Sequence, residues 1–212
     1  MSKIFFTSDN HWNHANIHKF CPQTRPDADV DVMDRKMISQ WNYQVSPEDT
    51  VWMLGDVFFC KADKAKRIMN QLNGIKHLIL GNHDRIIESD KSIQDMFASI
   101  HKYKEIVISR TTLCLFHYPI AEHNKCHYGS YHLHGHIHNR VSGVNGRILN
   151  VCVDSSEMAE IGRPYKLYSW EEVDRVLSKR NMLKHHGKDK EDIIAEHDTE
   201  RYNNHPSQKA VK

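Results

Sequence analysis

Residues 75–84 read Ile75-Lys76-His77-Leu78-Ile79-Leu80-Gly81-Asn82-His83-Asp84, and the fold is legible outward from this stretch. A short apolar run of strand composition stops at a glycine and gives way to three side chains suited to metals, protons or anions. The same grammar recurs along the chain. Ile4-Phe5-Phe6-Thr7-Ser8 is followed by Asp9-Asn10-His11, and Val51-Trp52-Met53-Leu54 by Gly55-Asp56. Leu113-Cys114-Leu115-Phe116 is followed by His117, and Tyr131-His132-Leu133-His134 by Gly135-His136-Ile137-His138. The spacing predicts strands over Lys3–Ser8, Thr50–Leu54, Ile75–Leu80, Glu105–Ile108, Leu113–Phe116, Tyr131–His134 and Arg147–Val153.

Between these runs the period changes. Val30, Met33, Met37 and Trp41 recur at helical spacing behind Asp27 and Asp29, two candidate caps. Lys61–Leu72 places Ile68 and Leu72 on one helix face and stops at Asn73-Gly74, a C-cap pair. Val144-Asn145-Gly146-Arg147 predicts a hairpin turn. Trp170, Val173, Val176 and Leu177 predict a closing amphipathic helix, and from about Lys184 the chain is charged and nearly without apolar residues. Strands alternating with helices predict an α/β fold, with residues 1–183 as the folded unit and 184–212 as a polar extension.

Composition removes several classes of function. Lys+Arg 29 against Asp+Glu 27 leaves a net charge of +2, too small to argue for a long nucleic acid or a membrane surface. No apolar run is long enough to span a bilayer. The opening residues turn polar after Ile4-Phe5-Phe6, which is unlike a signal peptide. Five scattered cysteines without a CxxC pair read as reduced thiols in a cytoplasm. The outlier is 17 histidines. In α/β sheets the ligand crevice lies outside the carboxyl ends of the strands, so five donor-bearing strand ends would converge on one spot. One such fragment is common by chance; five in order point to a metal site.

The series Asp9-x-His11, Gly55-Asp56, Gly81-Asn82-His83-Asp84, His117 and Gly135-His136-x-His138 resembles the calcineurin-like metallophosphoesterases over roughly residues 3 to 154. The resemblance implies a four-layer αββα sandwich, two mixed sheets face to face with helices outside. It implies two metal ions at the sheet edge: Asp9, His11 and His138 on one, Asn82, His117 and His136 on the other, and Asp56 bridging. His83 would stand beside the scissile bond without ligating, as general acid, oriented by Asp84 or Asp9. Gly55-Asp56-Val57-Phe58-Phe59-Cys60 lacks the Asp-Arg loop of the protein serine/threonine phosphatases, and Phe59 cannot replace the ligating tyrosine of the purple acid phosphatases. The small stand-alone prokaryotic or phage-type members remain.

The chemistry of the donors agrees with that set. Two divalent ions would meet only two negative ligands, Asp9 and Asp56, so the centre keeps an excess of about two positive charges and suits an anionic phosphate. Nitrogen and oxygen donors without thiolate suit Mn, Fe, Zn, Co or Ni, with Mn the first expectation. The expected reaction is in-line attack of a metal-activated hydroxide on the phosphorus of a phosphodiester, a small nucleotide or another phosphate ester. A phosphomonoesterase is the nearest alternative, and a non-catalytic module that kept the fold would show eroded ligands. A histidine-rich metal buffer would show clustered histidines without strand-end spacing. In an extended chain His132, His134, His136 and His138 would all face one side; the resemblance selects only the last two. Two long connections leave the strand ends, and His14, Arg25, Lys125 and His127 on them are candidate substrate contacts.

Overall fold

The computed structural model describes residues 2–155 and 165–183; the extension at 184–212 lies outside the described residues. Five parallel or antiparallel strands make the first sheet: β1 (Ile4–Thr7), β2 (Thr50–Met53), β3 (Ile75–Ile79), β4 (Ser99–His101) and β9 (Tyr168–Ser169), in the order β4-β3-β2-β1-β9. Four make the second: β5 (Tyr103–Ile108), β6 (Thr111–Phe116), β7 (Tyr131–His134) and β8 (Ile148–Asn150), in sequential order. β1 to β4 run parallel with β9 antiparallel; β6, β7 and β8 run parallel with β5 antiparallel. Both sheets are therefore mixed, and the α/β expectation holds.

Strand alternation builds the two cores. Phe5, Val51, Met53 and Leu78 point to α2 (Val30–Gln44) and α3 (Ala62–Met69), where Met33, Met37, Trp41, Ile68 and Met69 meet them. Their neighbours Phe6, Trp52 and Ile79 point the other way, onto Leu113, Leu115, Leu133 and Leu149 of the second sheet. α2 starts where the spacing placed it: Asp29 caps it by accepting from the Asp31 and Val32 amides. α6 (Trp170–Leu177) opens on a Ser169/Glu172 capping box and buries Val173 and Leu177 in the intersheet core. Short helices α1 (Ile17–Phe20), α4 (Arg85–Ser89) and α5 (Lys91–Gln94) fill the connections. Among the described residues the outer face of the second sheet carries the 118–130 connection, with a 3-10 turn at Cys126–Tyr128, rather than a long helix.

Three local expectations are corrected. Val144–Arg147 is no hairpin, because β8 runs parallel to β7; the tight turn is at Ser109-Arg110, both at positive φ, between β5 and β6. The helix α3 ends at Met69 rather than Leu72, and Gly74 instead enters β3 at φ +90°. The chain stays extended only through His134, so the four histidines do not share a face. Among the described residues no helix is long and apolar enough to cross a membrane.

Candidate metal centre

Parallel neighbours bring the carboxyl ends of β1, β2 and β3 to one edge, and those of β6 and β7 to another. The two edges are joined where Ser8 bridges Cys152 and where His117 Nδ1 meets the Leu54 carbonyl oxygen at 2.7 Å. Just past these ends the backbone turns sharply. Asp9, His11, Asp56, His136 and His138 have φ of +54°, +46°, +55°, +70° and +51°. A left-handed non-glycine residue costs about 1–3 kcal/mol, and such residues persist where surrounding structure holds a side chain in a set place.

The donors form two groups, Asp9–His11–His138 and Asp56–His117–His136, each with its ligand atoms within 4.8 Å of one another. His11 Nε2 lies 4.0 Å from Asp9 Oδ1 and 3.8 Å from Asp56 Oδ2. His138 Nε2 lies 3.8 Å from Asp9 Oδ1, and His117 Nε2 3.4 Å from Asp56 Oδ2. Asn82 Oδ1 joins the second group, 3.1 Å from His117 Nε2 and 3.0 Å from His136 Nδ1. Ligands at ~2.0–2.2 Å from one ion stand at separations of this kind. Asp56 Oδ2 faces both groups, while its Oδ1 accepts the His83 amide at 2.8 Å.

His11 supplies the test of whether a metal fits. Both its ring nitrogens are buried without a hydrogen-bond partner. Burial first, then the charge of His138, pushes it down to about 3, so the ring is neutral, the form that ligates. A buried imidazole with no partner is costly unless a metal takes a lone pair. Burial would raise Asp56, but the hydrogen bond and charge of His117 outweigh it and hold the carboxyl down at about 2. The residues present fit a divalent cation in each group.

Two buried acids hold this arrangement: Asp154, which the sequence did not single out, and Asp84, whose expected role changes. Asp154 accepts from Arg25 Nε at 2.7 Å and Nη2 at 3.1 Å, from Thr24 Oγ1 at 2.7 Å, and lies 3.1 Å from His138 Nδ1. Burial opposes its ionisation, yet the Arg25 guanidinium and His138 hold it well below the carboxylate range. Arg25 is fully buried, and its Nη groups also donate to the Asp9 and Asn10 carbonyls. Its expected role at the substrate is therefore corrected: it anchors the turn that carries Asp9. Asp84 accepts from the amides of Asp56 (2.9 Å), Val57 (2.8 Å) and Gly81 (2.8 Å), which ties the second and third donor turns together instead of orienting His83.

The other expected contacts divide. His14 lies at the site, its ring centroid 5.7 Å from that of His11 and 4.2 Å from that of Phe59. Lys125 and His127 do not. β6 and β7 are parallel, so the chain between them must return to the amino end of the sheet, and there Asn124 O meets Cys114 Sγ while His127 Nδ1 lies 3.1 Å from the Leu183 carbonyl. His132 and His134 are buried and hydrogen-bonded to backbone carbonyls of Cys114 and Gly135, a structural role. Tyr118, which was not singled out, lies over the second donor group with its ring 4.6 Å from that of His136; its one signal is that it follows His117.

Close approach explains one glycine. A Cβ on Gly135 would overlap Ser8 Oγ and Asp9 Oδ2, although its φ is unremarkable. Gly135→Ala is expected to displace the Asp9 carboxylate, lowering stability by about 1–3 kcal/mol and the bound metal per chain. Thermal unfolding and elemental analysis of the same preparation check it; a variant with full metal content and unchanged unfolding would refute the contact.

The chain matches no protein-family model. It is 34% identical over 140 residues to an uncharacterized protein of Methanocaldococcus jannaschii, covering 65% of this chain and 70% of that one. It is 28% identical over 184 residues to the gene 66 protein of Mycobacterium phage D29, covering 73% and 89%. A protein of unknown function from Aquifex aeolicus shares the structure at a TM-score of 0.64 and 26% identity, covering 83% of this chain and 100% of that one. With two stacked mixed sheets and the donor-bearing strand ends gathered at their edge, the chain shares the fold of the Aquifex aeolicus protein and belongs to one family with the Methanocaldococcus jannaschii protein.

Proposed function

We propose that the protein is a dinuclear metal-dependent phosphoesterase of the cytoplasm that favours phosphodiesters. The observation that carries this reading is Asp56, whose single Oδ2 faces His11 of one donor group and His117 of the other. Asp9, His11 and His138 would hold one ion, Asn82, His117 and His136 the second, with Asp56 shared; manganese leads iron, zinc, cobalt and nickel as the expected metal. When bound, the ions supply Lewis acidity and an activated water at neutral pH. The chain's own residues do the rest. Asp154 and Arg25 hold His138 and the Asp9 turn, and the Tyr118 ring shields His136. The free thiols of all five cysteines support a reducing compartment.

His83 is exposed, with its ring centroid 5.8 Å from that of His11 and 5.1 Å from that of Phe59. It stands at the rim, where a leaving oxygen would emerge, and there it donates a proton to that oxygen; His14 packs on the same Phe59 ring, 4.2 Å between centroids. The enzyme, stripped and reloaded with Mn, Ni, Zn or Mg, is expected to hydrolyse bis(p-nitrophenyl) phosphate faster than p-nitrophenyl phosphate. His83→Ala is expected to slow a dinucleotide, whose alkoxide needs a proton, by ~10²–10⁴-fold. It slows bis(p-nitrophenyl) phosphate far less, because nitrophenolate leaves unprotonated. Equal losses on both substrates would remove the acid role, and a chain that binds no metal would remove the whole reading.

A further inference from the structure

The loop after β2 and the turn after β3 border an open cleft of about 750 Å³ beside the donor groups. Asn82 and His83 form the wall it shares with the metal centre; Phe58, Phe59, Cys60, Lys61, Arg85 and Ile86 line the rest. The volume falls within the ~300–1,000 Å³ of small-molecule sites. Phe59 is 40% exposed and lines the cleft, with the tilted rings of His11, His14 and His83 at 5.1, 4.2 and 5.1 Å from its own. Lys61 and Arg85 are both exposed, and among the described residues no carboxylate pairs with either. No acid lines the cleft.

We propose that this cleft is the leaving-group subsite, and that the leaving group is a nucleotide: a planar base stacked on Phe59 with a further phosphate held by Lys61 and Arg85. The proposal rests on the hydrolase reading above and narrows its substrate class. An aryl or alkyl leaving group would use the ring and leave two cations unanswered. A bare phosphate would use the cations and leave the ring and most of the volume empty. A nucleotide answers both, since aromatic faces stack with any base and Arg and Lys bind phosphate oxygens through charge-assisted hydrogen bonds. In the reaction water oxygen bonds to phosphorus, the P–O bond to the leaving nucleotide breaks, and its oxygen departs as the alcohol with one proton. The substrate is then a phosphodiester whose leaving nucleoside carries a further phosphate.

The test separates binding from turnover. The Mn-loaded full chain is titrated calorimetrically with thymidine and with thymidine 3′,5′-bisphosphate, a stand-in for the departing nucleotide. The bisphosphate is expected to bind at least ~10-fold tighter than thymidine. The Lys61→Gln/Arg85→Gln double variant is expected to lose most of that difference, and Phe59→Ala to weaken both ligands. The two cations are exposed, and thermal unfolding checks that the variants fold. A double variant that binds the bisphosphate as tightly as the wild type would place its phosphates on the metals alone and overturn the subsite. So would a wild type that does not distinguish the two ligands. Bis(p-nitrophenyl) phosphate turnover is read in parallel: its absence with every metal overturns the hydrolase reading, whereas its presence without the binding difference overturns only the nucleotide subsite.

Discussion

Asp56→Asn is expected to reduce bound metal from two ions per chain to one and to bring turnover of bis(p-nitrophenyl) phosphate below about 1% of wild type. Loss of a partner that merely orients a ligand costs ~10–100-fold in metal affinity, and Asp56 is proposed as a ligand to both ions. Its Oδ2 is 3.4 Å from His117 Nε2 and 3.8 Å from His11 Nε2, so the amide removes negative charge where both groups face it. The amide oxygen still accepts from the His83 amide, which the wild-type carboxylate does at 2.8 Å, so the turn after β3 keeps its anchor. Thermal unfolding of the metal-free variant should therefore match that of the metal-free wild type, which separates loss of metal from loss of fold. Two ions retained with activity intact would end the bridging assignment.

The second large effect concerns stability. Asp154→Asn leaves the fully buried Arg25 guanidinium facing a neutral amide and removes the acceptor beside His138. Breaking a buried pair from one side costs about 3–5 kcal/mol, which for a chain of this size lowers the melting temperature by roughly 6–20 °C. The sign with pH follows from the direction of the Asp154 shift. Its folded-state pKa lies below the unfolded value, so the contribution is complete above ordinary carboxylate pKa values and is lost only as pH falls through the folded one. The deficit of the variant should thus be constant near neutral pH and shrink in strong acid. Arg25→Met in the Asp154→Asn background should recover part of the loss but not all, since Arg25 also donates to the carbonyls of Asp9 and Asn10. A variant within about 1 kcal/mol of wild type at pH 7 would show that the pair does not hold the Asp9 turn.

The donor turns were legible because strand ends carry a local signature. Ile4–Thr7, Thr50–Met53 and Ile75–Ile79 are apolar on alternate faces, and each stops where a polar turn begins. The two missed strands lack that signature. Ser99–His101 is a three-residue edge strand of mixed polarity, and Tyr168–Ser169 is a two-residue antiparallel edge, each held by its neighbour more than by its own pattern. The closing helix α6 was legible from the spacing of Trp170, Val173, Val176 and Leu177, and its start is set by the Ser169/Glu172 box, again a local device.

Local pattern thus determined from the sequence alone that Asp9, His11, Asp56, Asn82, His117, His136 and His138 follow strand ends, since a strand end is set by residues next to it. Only the tertiary structure decided which polar residues elsewhere serve that edge. Arg25 and Asp154 are 129 residues apart and meet because the first and second sheets join at Ser8 and Cys152. Lys125 and His127 lie far from the donors because the connection between two parallel strands has to run back to the other end of the sheet. His132 and His134 precede the proposed ligands by a few residues, yet the backbone turn at His136 sends the later pair to the donor edge and leaves the earlier pair buried, His132 against the 118–130 connection. Burial and chain return are properties of the assembled sheets, which no local spacing encodes.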